Sequence, residues 1–592
     1  MSHLDTRHHG DDGETDSSVT VSPTATTTEN TPLLSSGSSS ITIRDGSPAR
    51  EQQQHQPDPI AASEKRLGWK RTACIVSSMW VLIFLQASNM SGMSTAQSTI
   101  AADLDSYESA MWFTSAYMIS MSSVAPLAGR LSMIFSSATM ILLSSGCFAV
   151  GALVTALAPS FGVFILGRVL LGIGSGGIMT LCMIVVIQLT SQKRRGLWIG
   201  LTNAGFTIGV SAGAIVFGAL LPVLGWRLLF GAQAPLAAIA GLGVTLSIPR
   251  FATDEHVKDR TTRQKLAGID YAGAASLTIT IVLFLYGLSG TIQPLPILLS
   301  ILSLAIFLLV ESRASDPVIP LAVIRSRGVL LSCFSQLGFM AARWTVLFYA
   351  PMFVLAVRGL PPAIAGSVLV PTNAGFGLGG LLVGALHIRH AGSFWLGSLL
   401  SLAAFSLALF ALSFFSKAEA SVGGYVAILF ANGLGTGAAL TYTLAHLLHL
   451  TRPEVHFIVT GLLSTFRGFA GSFGTAIGGG VFTRTLRDAL TEGFRRLDGG
   501  EQLDKAREKL ITVLIGSPAA VWQGGVLNAA ERVVAVTGYE RAMDVLYKSA
   551  AAMCVLVLVM QAGTGWAAPA GVKDEDEEFE EAVAESDRAM EA

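Results

Sequence analysis

Apolar and polar residues fall along this chain in long blocks rather than at the spacing of a soluble amphipathic helix. After a polar lead of 68 residues, runs of roughly 20 apolar residues recur toward the carboxyl end, the length a helix needs to cross about 30 Å of hydrocarbon. The pattern predicts fourteen such helices, near 72–93, 109–129, 138–158, 163–189, 197–221, 228–248, 271–290, 294–311, 329–355, 363–386, 393–415, 422–447, 458–482 and 546–566. The expected fold class is an all-α polytopic membrane protein. Residues 1–68, rich in Ser, Thr, Asp, Pro and Gln, cannot bury enough apolar surface to offset ordering entropy and read as a disordered tail. The first apolar run starts after Lys70 and Arg71, too late for a cleavable leader, so helix 1 reads as retained.

Composition agrees with this reading. Of 592 residues, 51% are hydrophobic and 13% charged, against about 25% charged in soluble domains. A net charge of -1 leaves no basic face for nucleic acid. The cysteines, Cys74, Cys147, Cys182, Cys333 and Cys554, stand singly in apolar segments, which predicts neither a disulfide framework nor a metal site. No cofactor is expected. Lys and Arg collect in the even-numbered connections, at Arg130, at "QKRRG", from Arg250 to Lys265 and at Arg325 and Arg327, while the first connection, "DLDSYES", carries only acids. By the positive-inside rule both termini are expected to be cytosolic, with the charged stretch at about 483–545 a luminal amphipathic insertion.

Two stretches repeat. "GIGSGG" with Gly172, Gly174 and Gly176 in helix 4 returns as "GLGTGA" in helix 12, and "GFTIGVSAGAIVFG" with Gly205, Gly209 and Gly213 in helix 5 returns as "GFAGSFGTAIGGGVF" with Gly471 and Gly474 in helix 13. Small residues at this spacing let helices approach closely. The repeat predicts two six-helix halves, 69–250 and 328–566, around a linker at 251–327 that contains helices 7 and 8, followed by an acidic cytosolic tail at 567–592.

These residues resemble the major facilitator superfamily, and within it the fourteen-helix drug/proton antiporter branch. "GRVLLGIGSGG" resembles the helix 4 motif that carries an arginine, here Arg168. "GFTIGVSAGAIVFGALLPVLGWRLLF" resembles the antiporter signature of helix 5, and "ESRASDPVIPL" the connection after helix 8. The resemblance implies a transporter of 6+2+6 helices with no enzymatic activity, embedded in the lipid bilayer and taking a small-molecule substrate and protons. Departures accompany it. In the gate loop after helix 2, Gly129 and Leu131 flank Arg130 as the family pattern requires, but Met133, Ile134, Ser136, Ser137 and Ala138 replace charged or glycine positions. Asn89 replaces the branch's helix 1 aspartate, and Val210 the helix 5 proline.

Arginine stands inside three apolar helices, at Arg168, Arg343 and Arg467, while every Asp and Glu falls in a tail, a connection or at a helix end. Buried membrane charges face the bundle interior or a water-filled path, so these arginines are candidates for a substrate or coupling path that opens onto a polar cavity between the halves. The alternative is that each ties helices together through backbone carbonyls, with Arg467 near the membrane surface. At helical spacing Arg343 shares a face with Gln336, and Gln86, Asn89 and Gln97 form one stripe. Asn432 and Thr436 offer a substrate face or a packing face. His446 titrates near neutral pH and is a candidate for proton coupling or an interfacial side chain.

In the amino-terminal tail, "ENTPLL" with Glu29, Leu33 and Leu34 resembles an acidic dileucine sorting signal that an adaptor complex would read, and "TPLL" resembles tails of fungal vacuolar basic amino acid transporters. That resemblance implies proton-coupled movement of basic amino acids into the vacuole. A plasma-membrane exporter of drugs or metabolites and a non-transporting nutrient sensor remain open alternatives.

Overall fold

The serine-rich stretch that ends the first apolar run does not end its helix. Ser91, Ser94 and Thr95 turn their hydroxyls back onto the carbonyls of Ser88, Ser91 and Gly92, which satisfies them within the helix. The helix therefore runs Trp69–Asp103 rather than 72–93. The computed structural model describes residues 69–189, 192–248, 271–288, 292–313, 326–386, 393–451, 456–499 and 503–566. The dileucine residues Glu29, Leu33 and Leu34, the 249–270 part of the linker and the acidic tail lie outside them.

The described chain is helical, and each predicted segment falls on a helix. The first half comprises α1 Trp69–Asp103, α2 Trp112–Ile134, α3 Ser137–Ala156, α4 Phe161–Leu189, α5 Gln192–Gly231 and α6 Gln233–Ser247. Helices α7 Tyr271–Leu288 and α8 Pro294–Glu311 follow, then α9 Arg327–Ala356, α10 Leu369–Leu386, α11 Phe394–Phe415, α12 Val422–His449, α13 His456–Leu497 and α14 Ala529–Ala562. Among the described residues, 11 helices are long and apolar enough to cross a membrane. Within α5 the backbone breaks at Gly225, whose φ of 70° suits glycine, so the stretch after it leads into α6, which is itself only Gln233–Ser247.

The second half repeats the packing of the first. Helix α1 packs on α5 and α6, α2 on α4, and α3 on α4 and α6; α9 packs on α13 and α14, α10 on α12, and α11 on α12 and α14. The repeated glycines carry this equivalence. The missing side chains of Gly172 and Gly176 leave room for the Tyr117 and Met121 carbonyls of α2, and those of Gly433 and Gly437 for the Thr372 and Phe376 carbonyls of α10. Gly174 sits against Phe148 and Gly435 against Phe405, while Gly205, Gly209 and Gly213 sit against Trp80, Ala87 and Ser88 of α1. Because a side chain at Gly433 would meet backbone rather than a movable tip, Gly433→Val is expected to destabilise the protein by about 1–3 kcal/mol. Thermal unfolding in detergent measures this, and an unchanged melting temperature would contradict the close approach.

The halves meet along α2 with α13 and along α5 with α10 and the short helix Pro362–Ser367. Helices α7 and α8 pair with each other, and α7 leans on α2 and α13. Helix α8 exposes Leu295, Leu298, Ile301 and Leu302, an apolar face suited to lipid.

Two further boundaries differ from the sequence reading. Gly129, Arg130 and Leu131 are not in a loop but in the last turns of α2, which runs on to Ile134, since Met133 and Ile134 extend its apolar run. Ser136 instead caps α3, accepting the Thr139 amide at 3.1 Å. The insertion at 483–545 is largely an extension of its neighbours. Helix α13 continues through a buried ladder of Phe482, Leu486, Leu490 and Phe494, and α14 starts at a capping box between Asn528 and Glu531. Between them the helix Lys505–Gly516 and the turn Pro518–Trp522 form a strap. Arg507 ties it down through Asp498 and Glu531, and hydrogen bonding to those carboxylates raises the Arg507 pKa above its ordinary value.

Candidate functional site

Arg168 is 0% exposed. Its Nε donates to the Phe113 carbonyl at 2.7 Å, one Nη donates to Asn89 Oδ1, and the guanidinium carbon lies 4.6 Å from the Tyr117 ring centroid. Asn89 in turn donates to Gln233 Oε1 at 3.0 Å, and Tyr117 to Ser175 Oγ at 2.7 Å. One cation thus joins α4 to α1 and α2, and through Asn89 to α6. This corrects the expectation that Arg168 opens onto a cavity between the halves: it is sealed inside the first. Its burial is offset by charge-assisted hydrogen bonds, each worth about 1.5–3 kcal/mol, and by a desolvated cation–π contact of about 2 kcal/mol. Asn89, standing where the family branch has an acid, supplies a neutral oxygen.

The second half has its own centre. Arg343, 3% exposed, reaches from α9 to Thr372 Oγ1, to the Thr372 carbonyl at 3.3 Å and to Asn373 Oδ1 at 2.8 Å. Asn373 then donates to Ser211 Oγ of α5 at 2.8 Å, so this centre also ties the halves together. Gln336, which shares a helix face with Arg343, instead accepts from Thr443 at 3.4 Å.

The remaining candidates do not converge on one place. Gln86 is buried and donates to Met121 Sδ at 3.5 Å. Asn432 and Thr436 are 0% exposed; Thr436 bonds the Asn432 carbonyl at 2.7 Å, and both polar side-chain atoms of Asn432 lack partners among the described residues. His446, 1% exposed, pairs with Thr564 Oγ1 at 2.9 Å, which pins α12 to the end of α14. It is therefore a buried tether rather than an interfacial side chain. Arg467 lies 11 residues into α13 from His456, about 16 Å along the helix axis, and not at a helix end as the surface reading required.

Between the halves, toward the end of the bundle where α1 joins α2, lies a cavity of about 50 Å³ lined by Gln97, Thr114, Ser115, Tyr349, Thr475 and Ile515 among others. Drug-sized ligands occupy roughly 300 Å³ or more, so it is too small to hold one. The strap borders it at Ile515. Gln97 Nε2 donates to the Gly516 carbonyl at 3.4 Å, the Ala519 amide donates to Ser98 Oγ at 3.3 Å, and Gly516 packs on Tyr107. Trp522 Nε1 donates to the Ala356 carbonyl of α9 at 2.9 Å. The strap therefore grips both halves. Deeper in, Phe206 of α5 stands edge-on to Trp344 of α9 at 6.2 Å, and Met118 and Trp344 fill the space beside Gly471. The sequence pattern did not single out Tyr117, Gln233, Asn373 or the strap, although the polar pair Thr372-Asn373 inside an apolar run was a usable signal.

The model of the Major Facilitator Superfamily matches residues 79–475. The chain belongs to that family. It is thus a transporter-family protein of the membrane rather than an enzyme. Among curated relatives, the Acurin A biosynthesis cluster MFS-type transporter of Aspergillus aculeatus is 27% identical over 76% of this chain and 82% of its own. Efflux pump FUS6 of Gibberella moniliformis is 25% identical over 73% and 77%, and Multidrug resistance protein 3 of Bacillus subtilis 24% identical over 77% and 87%. Among solved structures, the inward-facing, unoccupied crystal structure of a bacterial homolog of the human lysosomal transporter Spinster superposes with a TM-score of 0.58 at 14% identity, covering 84% of this chain and 99% of that one.

Proposed function

We propose that this protein exports hydrophobic small molecules by alternating access, its two six-helix halves rocking about the interface that the Arg343 relay crosses. The observation that carries the proposal is the division of contacts. Each half is bound internally by a buried arginine and by its most extensive helix pairs, whereas α2–α13 and α5–α10 pack less extensively. They meet through side chains such as Ser122 with Ser472 at 2.6 Å and Asn373 with Ser211, with close backbone approach, among the described glycines, confined to Gly218 against Pro362 and Gly366 against Ala214. Rigid bodies with a lighter seam between them are what a rocking mechanism needs. In this reading all fourteen helices span, both termini are cytosolic, and the strap lies on the far side. Proton coupling is part of the reading. Relatives described as efflux pumps and as a biosynthesis-cluster transporter support export.

The basic amino acid reading rests on resemblance alone. Along the apolar stretches of the described helices Arg168, Arg343 and Arg467 occur without an Asp or Glu, so a cationic substrate would meet repulsion and no partner. Vacuolar placement rests on Glu29, Leu33 and Leu34; Leu33→Ala with Leu34→Ala should move a fluorescent fusion off the vacuole if they act as the sorting signal.

Export is tested in cells stripped of their own pumps and loaded with the dye Nile red. Cells that make the protein should retain several-fold less dye than controls, and a protonophore should abolish the difference. Unchanged dye retention together with ATP-driven lysine uptake into vacuolar vesicles would overturn this reading in favour of amino acid import.

A further inference from the structure

Of the three intramembrane arginines, two are held by acceptors, Arg168 through Nε and one Nη and Arg343 through both Nη groups, and the third is not. Arg467 makes no hydrogen bond, ion pair or ring contact among the described residues, and although protein surrounds it closely it keeps accessible surface. Its helix face is the one that turns inward. One turn further along α13, Gly471 faces Met118 of α2 and Trp344 of α9, and Gly474 faces Ala341. Arg467 thus sits one turn from the Met118–Trp344–Phe206 contact, on the side away from the strap. Space opens beside it. Ser464 and Gly461, toward the start of α13, are exposed, and nothing lies within 4 Å of where a side chain on Gly461 or Gly468 would stand.

A guanidinium in that position is held in place by neither acid nor carbonyl, unlike Arg168 and Arg343. Lining a path with an unpaired cation and no carboxylate repels cations and attracts anions, and the planar fork of arginine suits carboxylates in particular. We infer that Arg467 is a binding site for an anionic group, so that the substrate is an amphipathic organic acid entering between α2, α9 and α13 from the side away from the strap. This rests on the export reading and deepens it. The substrate's acid group docks on Arg467, in the space that opens beside Gly461 and Gly468.

The test is binding to purified full-length protein in detergent, read by fluorescence anisotropy with carboxyfluorescein as the anion and rhodamine 6G as the cation. Carboxyfluorescein should bind more tightly than rhodamine 6G and weaken with salt. Arg467→Gln should weaken it about 10- to 100-fold, as loss of a charge-assisted contact implies, while Arg467→Lys should restore part of the affinity. Ser464→Asp places a carboxylate one turn from Arg467 and should abolish anion binding even if Arg467→Gln misfolds. Equal anion binding by wild type and by either Arg467→Gln or Ser464→Asp would overturn the inference, as would tighter binding of rhodamine 6G or no binding of carboxyfluorescein at all. Proteoliposome flux separates this from the export reading. Transport of rhodamine 6G without anion binding keeps export and rejects the Arg467 site, and anion binding through Arg467 without flux of either dye does the reverse.

Discussion

Asn89→Leu is expected to damage the protein more than removal of the arginine it serves. The substitution strands the Arg168 guanidinium, 0% exposed, with one acceptor fewer, and leaves Gln233 Oε1 without its donor. Losing a hydrogen bond to a buried charge costs about 1.5–3 kcal/mol, and the orphaned amide adds about 1 kcal/mol or more. Arg168→Met instead removes the charge with its hydration cost and fills similar volume. It leaves the neutral acceptors Asn89 Oδ1 and the Phe113 carbonyl without their donor, a smaller loss than a stranded charge. Replacing both partners by apolar groups is the exchange that is often close to neutral. The double variant Asn89→Leu with Arg168→Met should therefore melt above Asn89→Leu alone. Thermal unfolding of all four proteins in detergent forms a cycle whose interaction term should be at least about 1 kcal/mol. Additive effects would mean that Arg168 does not depend on Asn89 as the geometry says.

That prediction shows where the sequence was informative and where it was not. The pattern of apolar runs placed the long helices of the described residues but not the strap helix Lys505–Gly516, because a helix that crosses a membrane is apolar over most of its length whatever its neighbours. The ends were harder to read, since polar residues that bond within their own helix, such as Ser94 and Thr95, look like a loop in the sequence. The paired glycines were legible for a physical reason: Gly172 and Gly433 do the same work at equivalent places, admitting a neighbour's carbonyl. Arg168 was legible as an anomaly but not as a solved one. Its acceptors come from Asn89 and Phe113, 79 and 55 residues away, and no local pattern announces a contact of that range. The strap was the least legible element. Its charged, mixed sequence reads as a surface insertion, and only the fold places Gly516 against Tyr107 and Trp522 against Ala356.

Locking the strap should stop transport. The strap belongs to the connection between α13 and α14, yet Ala519 donates its amide to Ser98 Oγ of α1 at 3.3 Å and Gln97 donates to the Gly516 carbonyl. If the halves part at this end to release substrate, these contacts must break in every cycle, and each is a neutral hydrogen bond worth only about 0.5–1.5 kcal/mol. Such a seal is weak enough to open, whereas a covalent bond at the same place is not. In a background with the native cysteines replaced, Ser98→Cys with Ala519→Cys is expected to form a disulfide, since that approach is compatible with the separation a disulfide spans. Efflux should then fall to the level of cells lacking the protein, return on treatment with a reductant, and stay normal in each single variant. A cross-linked protein that still transports would show that the strap rides with the first half and that the opening lies elsewhere. Loss of transport that the reductant reverses would identify the strap as the part of the second half that must release α1 before substrate can leave.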